Sequence, residues 1–288
     1  MEMTAGTLYL VGTPIGNLDD MTYRAVEVLS RVDVIAAEDT RNTLRLLNHF
    51  EIKNTLVSYH EHNQKQRGPE LLAQLQQGRM VALVTDAGMP AVSDPGEGLV
   101  RLCHEAGVPV SPVPGACAAI CAVAASGQDT SHFYFEGFLP PTGRERRERL
   151  AAVAEMPCTV ILYEAPHKLQ GTLADLLDTV GDRSVTLARE ITKRYEEVER
   201  TTLRQAVERY SAAEPRGEFV LVLEGGAQQK QGWSDEALSQ LLQELQRKGM
   251  RPKEAVREVV ARTGEKKNRV YELSLRKITS AEDGPATR

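Results

Sequence analysis

The chain of 288 residues is 41% hydrophobic and 26% charged, with a formal net charge of −5. That composition excludes an intrinsically disordered chain, and the length excludes one small core, so two domains plus a small extra module are expected. The longest uninterrupted apolar run, Ala116 to Ala125, falls short of the ~18 residues a membrane span needs, and no basic residue followed by a signal-type apolar core opens the chain. A cytoplasmic protein without membrane association is expected.

The first third alternates between strands and helices. TLYLVG reads as a strand, Met21 to Arg31 as a helix, VDVIAAE as a strand, Thr40 to His49 as a helix, and NTLVSYH as a strand. Gly68 to Gln77 follows as a helix, then MVALVTD as a strand, Gly96 to Glu105 as a helix and VPVSPV as a strand. This order predicts crossover connections and a largely parallel sheet covered on both faces, with ligands beyond the carboxyl ends of its strands.

A second unit follows, with strands HFYFEGFL, CTVILYEA, SVTLARE and GEFVLVLEG and helices over RERRERLAAVAE and His167 to Val180. The prolines of GFLPPTGR mark a junction, and the boundary between the two units is placed near Gly127 to Ser131. From Trp233 onward only helices are expected: Asp235 to Lys248 with Ser234 as N-cap and Gly249 as stop, Pro252 to Arg262, and Lys267 to Lys277. The expected division is an α/β domain over 1–127, a second over 128–228, and a basic helical module over 229–288 whose tail after Thr279 is frayed.

The net charge hides an asymmetry. Between Gln246 and Lys277 stand 11 Lys or Arg against 4 Glu, a local charge of +7 on a body of −12. Such a module suits a phosphate backbone, and Lys266, Lys267 and Arg269 at the start of its last helix fit a helix-turn-helix; the alternatives are a solvated helix surface and a small dimerisation bundle.

Three loops rich in Gly and Pro stand after apolar strands: Gly12–Asn17, Asp86–Gly96 and Pro112–Ala118. The first lacks GxGxxG spacing and no Walker sequence occurs, which disfavours nicotinamide cofactors and nucleoside triphosphates. In the second, Asp86 is read as a ligand group and Asp94 as the N-cap of the next helix. The small residues of the third leave room for a flat group, although they suit close helix-on-sheet packing equally. Ala37–Arg41 offers either a helix cap or an acid–base group.

His60-Glu61-His62 lacks a third ligand cluster, and Cys103, Cys117, Cys121 and Cys158 lack CxxC spacing, so no metal site is expected and the thiols read as reduced and buried. No serine elbow appears. In the second unit YEAPHK and AREITK end adjacent strands, and a cleft lined by Arg189, Lys193, Arg194 and Arg41 would suit an anionic substrate; salt bridging to Glu196, Glu197 and Glu199 is the alternative.

GTLYLVGTPIGNLDD, AEDTR, SYHEHN, ALVTDAGMPAVSDPG, VPGA, FYFEGFLP, YEAPHK, LAREITKRYEE and GEFVLVLEGG occur in this order. Together they resemble the ribosomal RNA small subunit methyltransferase I family, a branch of the tetrapyrrole methylase superfamily, over about residues 6 to 277. The resemblance implies two α/β domains of the tetrapyrrole-methylase type with a cofactor cleft between them, plus a C-terminal helix-turn-helix-like module. It also implies S-adenosylmethionine as methyl donor, a homodimer, and methylation of the ribose 2′-hydroxyl of a cytidine in the small-subunit decoding region.

Carried over position by position, the donor contacts come from Leu10, Thr13, Pro14 and Gly16 in the first loop and Asp86, Gly88, Met89, Ala91 and Ser93 in the second. Gly115, Ala116 and Cys117 supply the third loop, and Leu162, Tyr163, Arg189, Glu190, Glu218, Phe219 and Val220 the second domain. Porphyrin-modifying members carry a GxGPGD-like first loop and a GDP second loop, whereas this chain has GTPIGN and TDAGMP, which argues against a tetrapyrrole acceptor. A ribose hydroxyl is a poor nucleophile, so Glu38, Asp39, His60 and Lys193 are the catalytic candidates, with Arg189 as an electrostatic helper. Arg41, Arg194, Lys266, Lys267 and Arg269 are the candidates for RNA contact. The rival readings are methylation of a small tetrapyrrole or a protein side chain, and a helix-turn-helix regulator that senses S-adenosylmethionine.

Overall fold

A computed structural model describes residues 3–212, 214–226 and 233–275. The chain divides into two compact units, Met1–Gly226 and Ala227–Arg288.

The first unit begins with a five-stranded sheet of β1 (Leu8–Val11), β2 (Val34–Ala37), β3 (Leu56–Ser58), β4 (Val81–Val84) and β5 (Val110–Val113) in the order β3-β2-β4-β1-β5. Every pairing is parallel, with Leu8 in register with Val81 on one side and Val110 on the other. The crossovers α1 (Tyr23–Arg31), α2 (Thr40–His49), α3 (Gln64–Gln76) and α4 (Glu97–Glu105) cover both faces, which gives one core around Tyr9, Ile35 and Leu47 and another around Leu8, Leu71 and Leu99. Thr22 Oγ1 caps α1 by accepting from Ala25 N at 3.1 Å. The strands are buried on both sides, which is why they read as continuous apolar runs.

α3 starts four residues ahead of the expected Gly68. Pro69 lies inside it, but the carbonyl it leaves without a donor belongs to Lys65 in the first turn, an exposed residue. Asp94 does not cap α4. That helix starts from Gly96 with no side-chain cap, and Asp94 faces Thr85 instead.

The second sheet contains β6 (Phe133–Phe138), β7 (Thr159–Glu164), β8 (Ser184–Arg189), β9 (Glu197–Thr202) and β10 (Phe219–Leu223) in the order β6-β7-β10-β8-β9. It is mixed: β6 and β7 are parallel, and the other pairs antiparallel. One face packs on α6 (Gly143–Glu155), α7 (Pro166–Val180) and α8 (Leu203–Ala212) around Leu162, Leu173, Leu187 and Leu221. The other face receives α5 (Ala118–Ala125), whose Ala119, Ala122 and Val123 meet Ile161, Ala188, Val220 and Val222. A helix from the expected first domain thus covers the second sheet.

β9 and α8 went unseen in the sequence because EVERTT carries charge along a strand of half-buried and exposed positions at the sheet edge. Glu197 there pairs with Arg189 at 3.1 Å and with Arg209 of α8 at 2.9 Å. Of the cysteines only Cys103 is buried, and Cys121 on α5 is exposed, contrary to the expectation for all four.

The second unit is helical where described: α9 (Asp235–Arg247), α10 (Pro252–Thr263) and α11 (Lys267–Leu275), around Leu238, Leu242, Val256, Val259 and Val270. Ser234 caps α9 through Ala237 N at 3.1 Å, and Gly264, left-handed at φ +67°, ends α10. Lys277 and the tail after Thr279 lie outside the described residues. Among the described residues no helix is long and apolar enough to cross a membrane.

Candidate functional site

The three Gly- and Pro-rich loops leave the carboxyl ends of neighbouring strands β4, β1 and β5 and are clasped to one another. Thr13 N donates to Gly88 O at 2.9 Å and Gly88 N to Thr13 O at 3.0 Å, while Thr13 Oγ1 reaches Thr85 O at 3.1 Å. The first and third loops meet at Gly12 and Gly115, where a Cβ on Gly115 would lie 2.8 Å from Gly12 Cα. On the far side, Gly16 sits against the aliphatic stem of Lys193, and the Thr192 hydroxyl donates to Asp20, which ties the β8–β9 loop to the segment after β1.

Between these loops and the second sheet lies a cavity of about 360 Å³, within the roughly 300–1,000 Å³ of small-molecule sites. The carboxyl ends of β7 and β8 and the amino end of β10 meet on its second wall, since Phe219 stands in register with both Glu164 and Arg189. Ile15, Met89, Cys117, Tyr163, Phe219 and Val220 give it apolar surface. Tyr163 is held edge-on by Phe135 and Phe138 at ring separations of 5.1 and 5.4 Å, and its hydroxyl accepts from Ala119 N at 3.1 Å. Burial first, then the neighbouring Cys117 and Asp94, push the Tyr163 phenol up to about 12.

The polar lining is acidic, where a cationic cleft had been expected. Among the described residues Glu38, Asp86, Asp94, Glu164, Glu190 and Glu218 line the cavity against the single cation Lys193. Lys193 Nζ is itself held at 2.8 Å by both Glu190 and Glu218. Burial disfavours its charge, but these two bonds outweigh it and raise its pKa. Thr85 Oγ1 donates to Glu38 Oε2 at 2.6 Å, and Asn42 Nδ2 to Asp86 Oδ2 at 2.9 Å. Asp94 is raised to about 6, by burial and then by the charge of Glu38. Backbone strain accompanies both walls: Ser93 and Glu190 in the lining, and Ala91 and Thr192 next to it in sequence, have positive φ without being glycine.

Of the residues singled out in the sequence, Asp86, Gly88, Met89, Ser93, Cys117, Tyr163, Glu218 and Phe219 line the cavity, as do Glu38 and Lys193. Thr13, Pro14, Gly16, Ala91, Gly115 and Ala116 belong to the loops without lining the cavity, Leu10 packs on the core of the first sheet from within β1, and Leu162 is fully buried in the core of the second. Arg189 pairs with Glu197, with its Nε buried and unpartnered. Asp39 caps α2 by accepting from Arg41 N at 2.8 Å and pairs with the Arg41 guanidinium, which holds its carboxyl down near about 2. His60 stands beyond the edge strand β3, away from the lining, with its Nδ1 buried and unpartnered. Arg194 is exposed and lies over the Tyr195 ring. In the helical unit Lys266 and Lys267 are exposed, whereas Arg269 is occupied by Asp235 and Glu265, each at 2.8 Å. Glu190 lines the cavity as the sequence had placed it, while Thr85, Asp94 and Phe138 line it without having been assigned to it, although each adjoins a strand end or loop that the sequence had marked.

An all-parallel sheet and a mixed sheet joined at their strand ends over this cavity make up the fold that a methylase family model matches. The chain belongs to the tetrapyrrole (corrin/porphyrin) methylases, whose family model matches residues 7–207. A second model, the RsmI C-terminal HTH domain, matches residues 233–277, and within the family the chain belongs to the ribosomal RNA small subunit methyltransferase I group. It is similar to the ribosomal RNA small subunit methyltransferase I of Synechocystis sp., with 48% identity over 94% of this chain and 98% of the relative. That of Bacillus subtilis is 42% identical over 93% of each. Among solved structures, uroporphyrin-III C-methyltransferase from Thermus thermophilus complexed with S-adenyl homocysteine superposes with a TM-score of 0.55 at 22% identity, covering 76% of this chain and 97% of that one. Diphthine synthase gives 0.60 at 14% identity, over 76% and 90%; both support the fold.

Proposed function

We propose that this protein methylates the ribose 2′-hydroxyl of a cytidine in small-subunit ribosomal RNA, with S-adenosylmethionine as donor. The observation that carries the reading is the acid-walled cavity at the joined strand ends, in a chain akin over nearly its full length to ribosomal RNA small subunit methyltransferases.

The residues fit the donor. A cation belongs among carboxylates whose one counter-charge among the described lining residues is already paired, and the first and third loops are locked together behind the lining where Gly12 meets Gly115 backbone to backbone. Asp86, Glu38 and Asp94 would hold the positive groups, while Ile15, Met89 and Val220 would hold the apolar ones. When bound, S-adenosylmethionine supplies a methyl group already activated on sulfur. The protein's work is then to align the acceptor oxygen, keep water out between apolar walls, and receive a proton.

The helical unit supports an RNA acceptor. Lys266 and Lys267 stand exposed at the N-terminal turn of α11, where the helix dipole disfavours cations, so a partner rather than the fold explains them. We assign a homodimer and a cytoplasmic location to the same reading; sedimentation of the purified chain checks the first. The deciding experiment incubates the protein with tritiated S-adenosylmethionine and small subunits from a strain lacking the enzyme, then analyses nucleosides. Label in 2′-O-methylcytidine is the expected result, and label in another nucleoside or none overturns it.

A further inference from the structure

Asp94 lies in the cavity wall between the strained Ser93, at φ +65°, and Pro95, and it caps no helix. Its neighbours decide where its proton sits. Thr85 Oγ1 donates its one hydrogen to Glu38 Oε2 at 2.6 Å, and Asp94 is in hydrogen-bonding contact with the same hydroxyl. The Thr85 contact favours the Asp94 carboxylate, and the other two carboxylates on this wall have donors of their own, Glu38 from Thr85 at 2.6 Å and Asp86 from Asn42 at 2.9 Å. Burial first, then the carboxylates of Glu38 and Asp86, outweigh the Thr85 contact and place Asp94 at about 6.

The other titratable groups on the cavity come from every element around it: Tyr163 and Glu164 from β7, Glu190 and Lys193 after β8, Glu218 before β10, and the Cys117 thiol before α5. The single cation among them is tied to two carboxylates, so the lining offers Asp94 no counter-charge of its own. A positively charged ligand brings one.

We propose that Asp94 accepts the proton of the acceptor hydroxyl, and that the charge of the donor switches Asp94 between its two forms. The inference rests on the donor and reaction proposed above. A sulfonium beside Asp94 favours its carboxylate. In transfer, a lone pair of the hydroxyl oxygen forms the new O–C bond, the C–S pair stays on sulfur, and the O–H proton passes to Asp94 Oδ. The positive charge on sulfur vanishes in the same event, so the proton affinity of Asp94 returns to its ligand-free value as the proton arrives. The net charge of the cavity is unchanged across the reaction, and no charge is stranded in a low-dielectric site.

Calorimetric titration of the full chain at pH 6, in two buffers of different ionisation enthalpy, counts the protons released on binding. Asp94 is about half protonated there, so S-adenosylmethionine should release up to about half a proton more than neutral S-adenosylhomocysteine. Asp94→Asn should abolish that difference, still bind S-adenosylhomocysteine, and slow methyl transfer about 10²–10⁴-fold, with partial recovery in Asp94→Glu. Equal proton release by the two ligands in the wild type, or a difference that persists in Asp94→Asn, overturns the inference. Failure of both ligands to bind the wild type overturns the donor assignment, and this inference with it.

Discussion

Gly12 and Gly115 touch backbone to backbone: a Cβ on Gly12 would stand 2.8 Å from Gly115 Cα and 2.7 Å from Met89 Sδ. All three Gly- and Pro-rich loops therefore share one contact, and no side chain fits between them. Gly12→Ala and Gly115→Ala should each destabilise by about 1–3 kcal/mol, the usual cost of overpacking. They should also weaken donor binding more than Gly107→Ala, where no neighbouring atom limits space. Urea unfolding and equilibrium dialysis with S-adenosylmethionine check both parts.

Asp94 links stability to pH. Its folded pKa of about 6 lies above the ordinary carboxylate value of 3.8. The stability associated with this raised pKa is fully present below the ordinary value and is lost as pH rises through about 6. Asp94→Asn should therefore be more stable than the wild type at pH 8, by about 1 kcal/mol after discounting for its half-exposed position, and the advantage should shrink at pH 4. Denaturant melts at the two pH values measure it.

The two carboxylates on Lys193 are unequal. The Glu218 side chain is 78% exposed and that of Glu190 only 20%, and Glu190 Oε1 also accepts from Glu218 N at 2.9 Å. Glu218→Gln should change stability by less than ~0.5 kcal/mol, whereas Glu190→Gln should cost about 1–3 kcal/mol. Equal effects in urea unfolding would show that the ammonium does not depend on the buried partner.

In the helical unit the basic residues divide by partner. Lys266→Glu with Lys267→Glu should weaken small-subunit binding and reduce the slope of log affinity against log salt by about 2, if each lysine meets one phosphate. Arg269→Ala should instead loosen the helices, because its guanidinium joins Asp235, Glu265 and the Trp233 carbonyl. Filter binding across a salt series, with a thermal melt of each variant, separates the two behaviours.

The elements that positioned the site were legible where local chemistry agreed with the final structure. Gly and Pro marked all three loops, the apolar runs of β1, β2 and β4 announced a sheet buried on both faces, and Ser234 capped its helix as expected. Legibility failed where the deciding partner lay far along the chain. Asp94 sits in an S-D-P-G sequence that mimics a helix cap, and only the approach of Thr85 and Glu38 gives it another place. Arg189, Lys193 and Arg41 are a different case, since Glu197, Glu190 and Asp39 stand close to them in the sequence and the salt bridge to Glu197 was the alternative to a cationic cleft. β9 hid behind its charges, and the family itself was visible only as an ordered series of short motifs.

α5 has small or apolar residues all round, so nothing in its pattern says which sheet it covers, and the structure lays it on Ile161, Ala188, Val220 and Val222. The consequence is one of evolution and engineering. Cut after Ala125 and expressed from Ser126 on, the second half would lose the three residues that dry this face and would offer a sticky apolar strip to its neighbours. The two halves are therefore not interchangeable cassettes: a graft that swaps the second sheet between relatives has to carry α5 with it, and with α5 comes the third loop of the cleft.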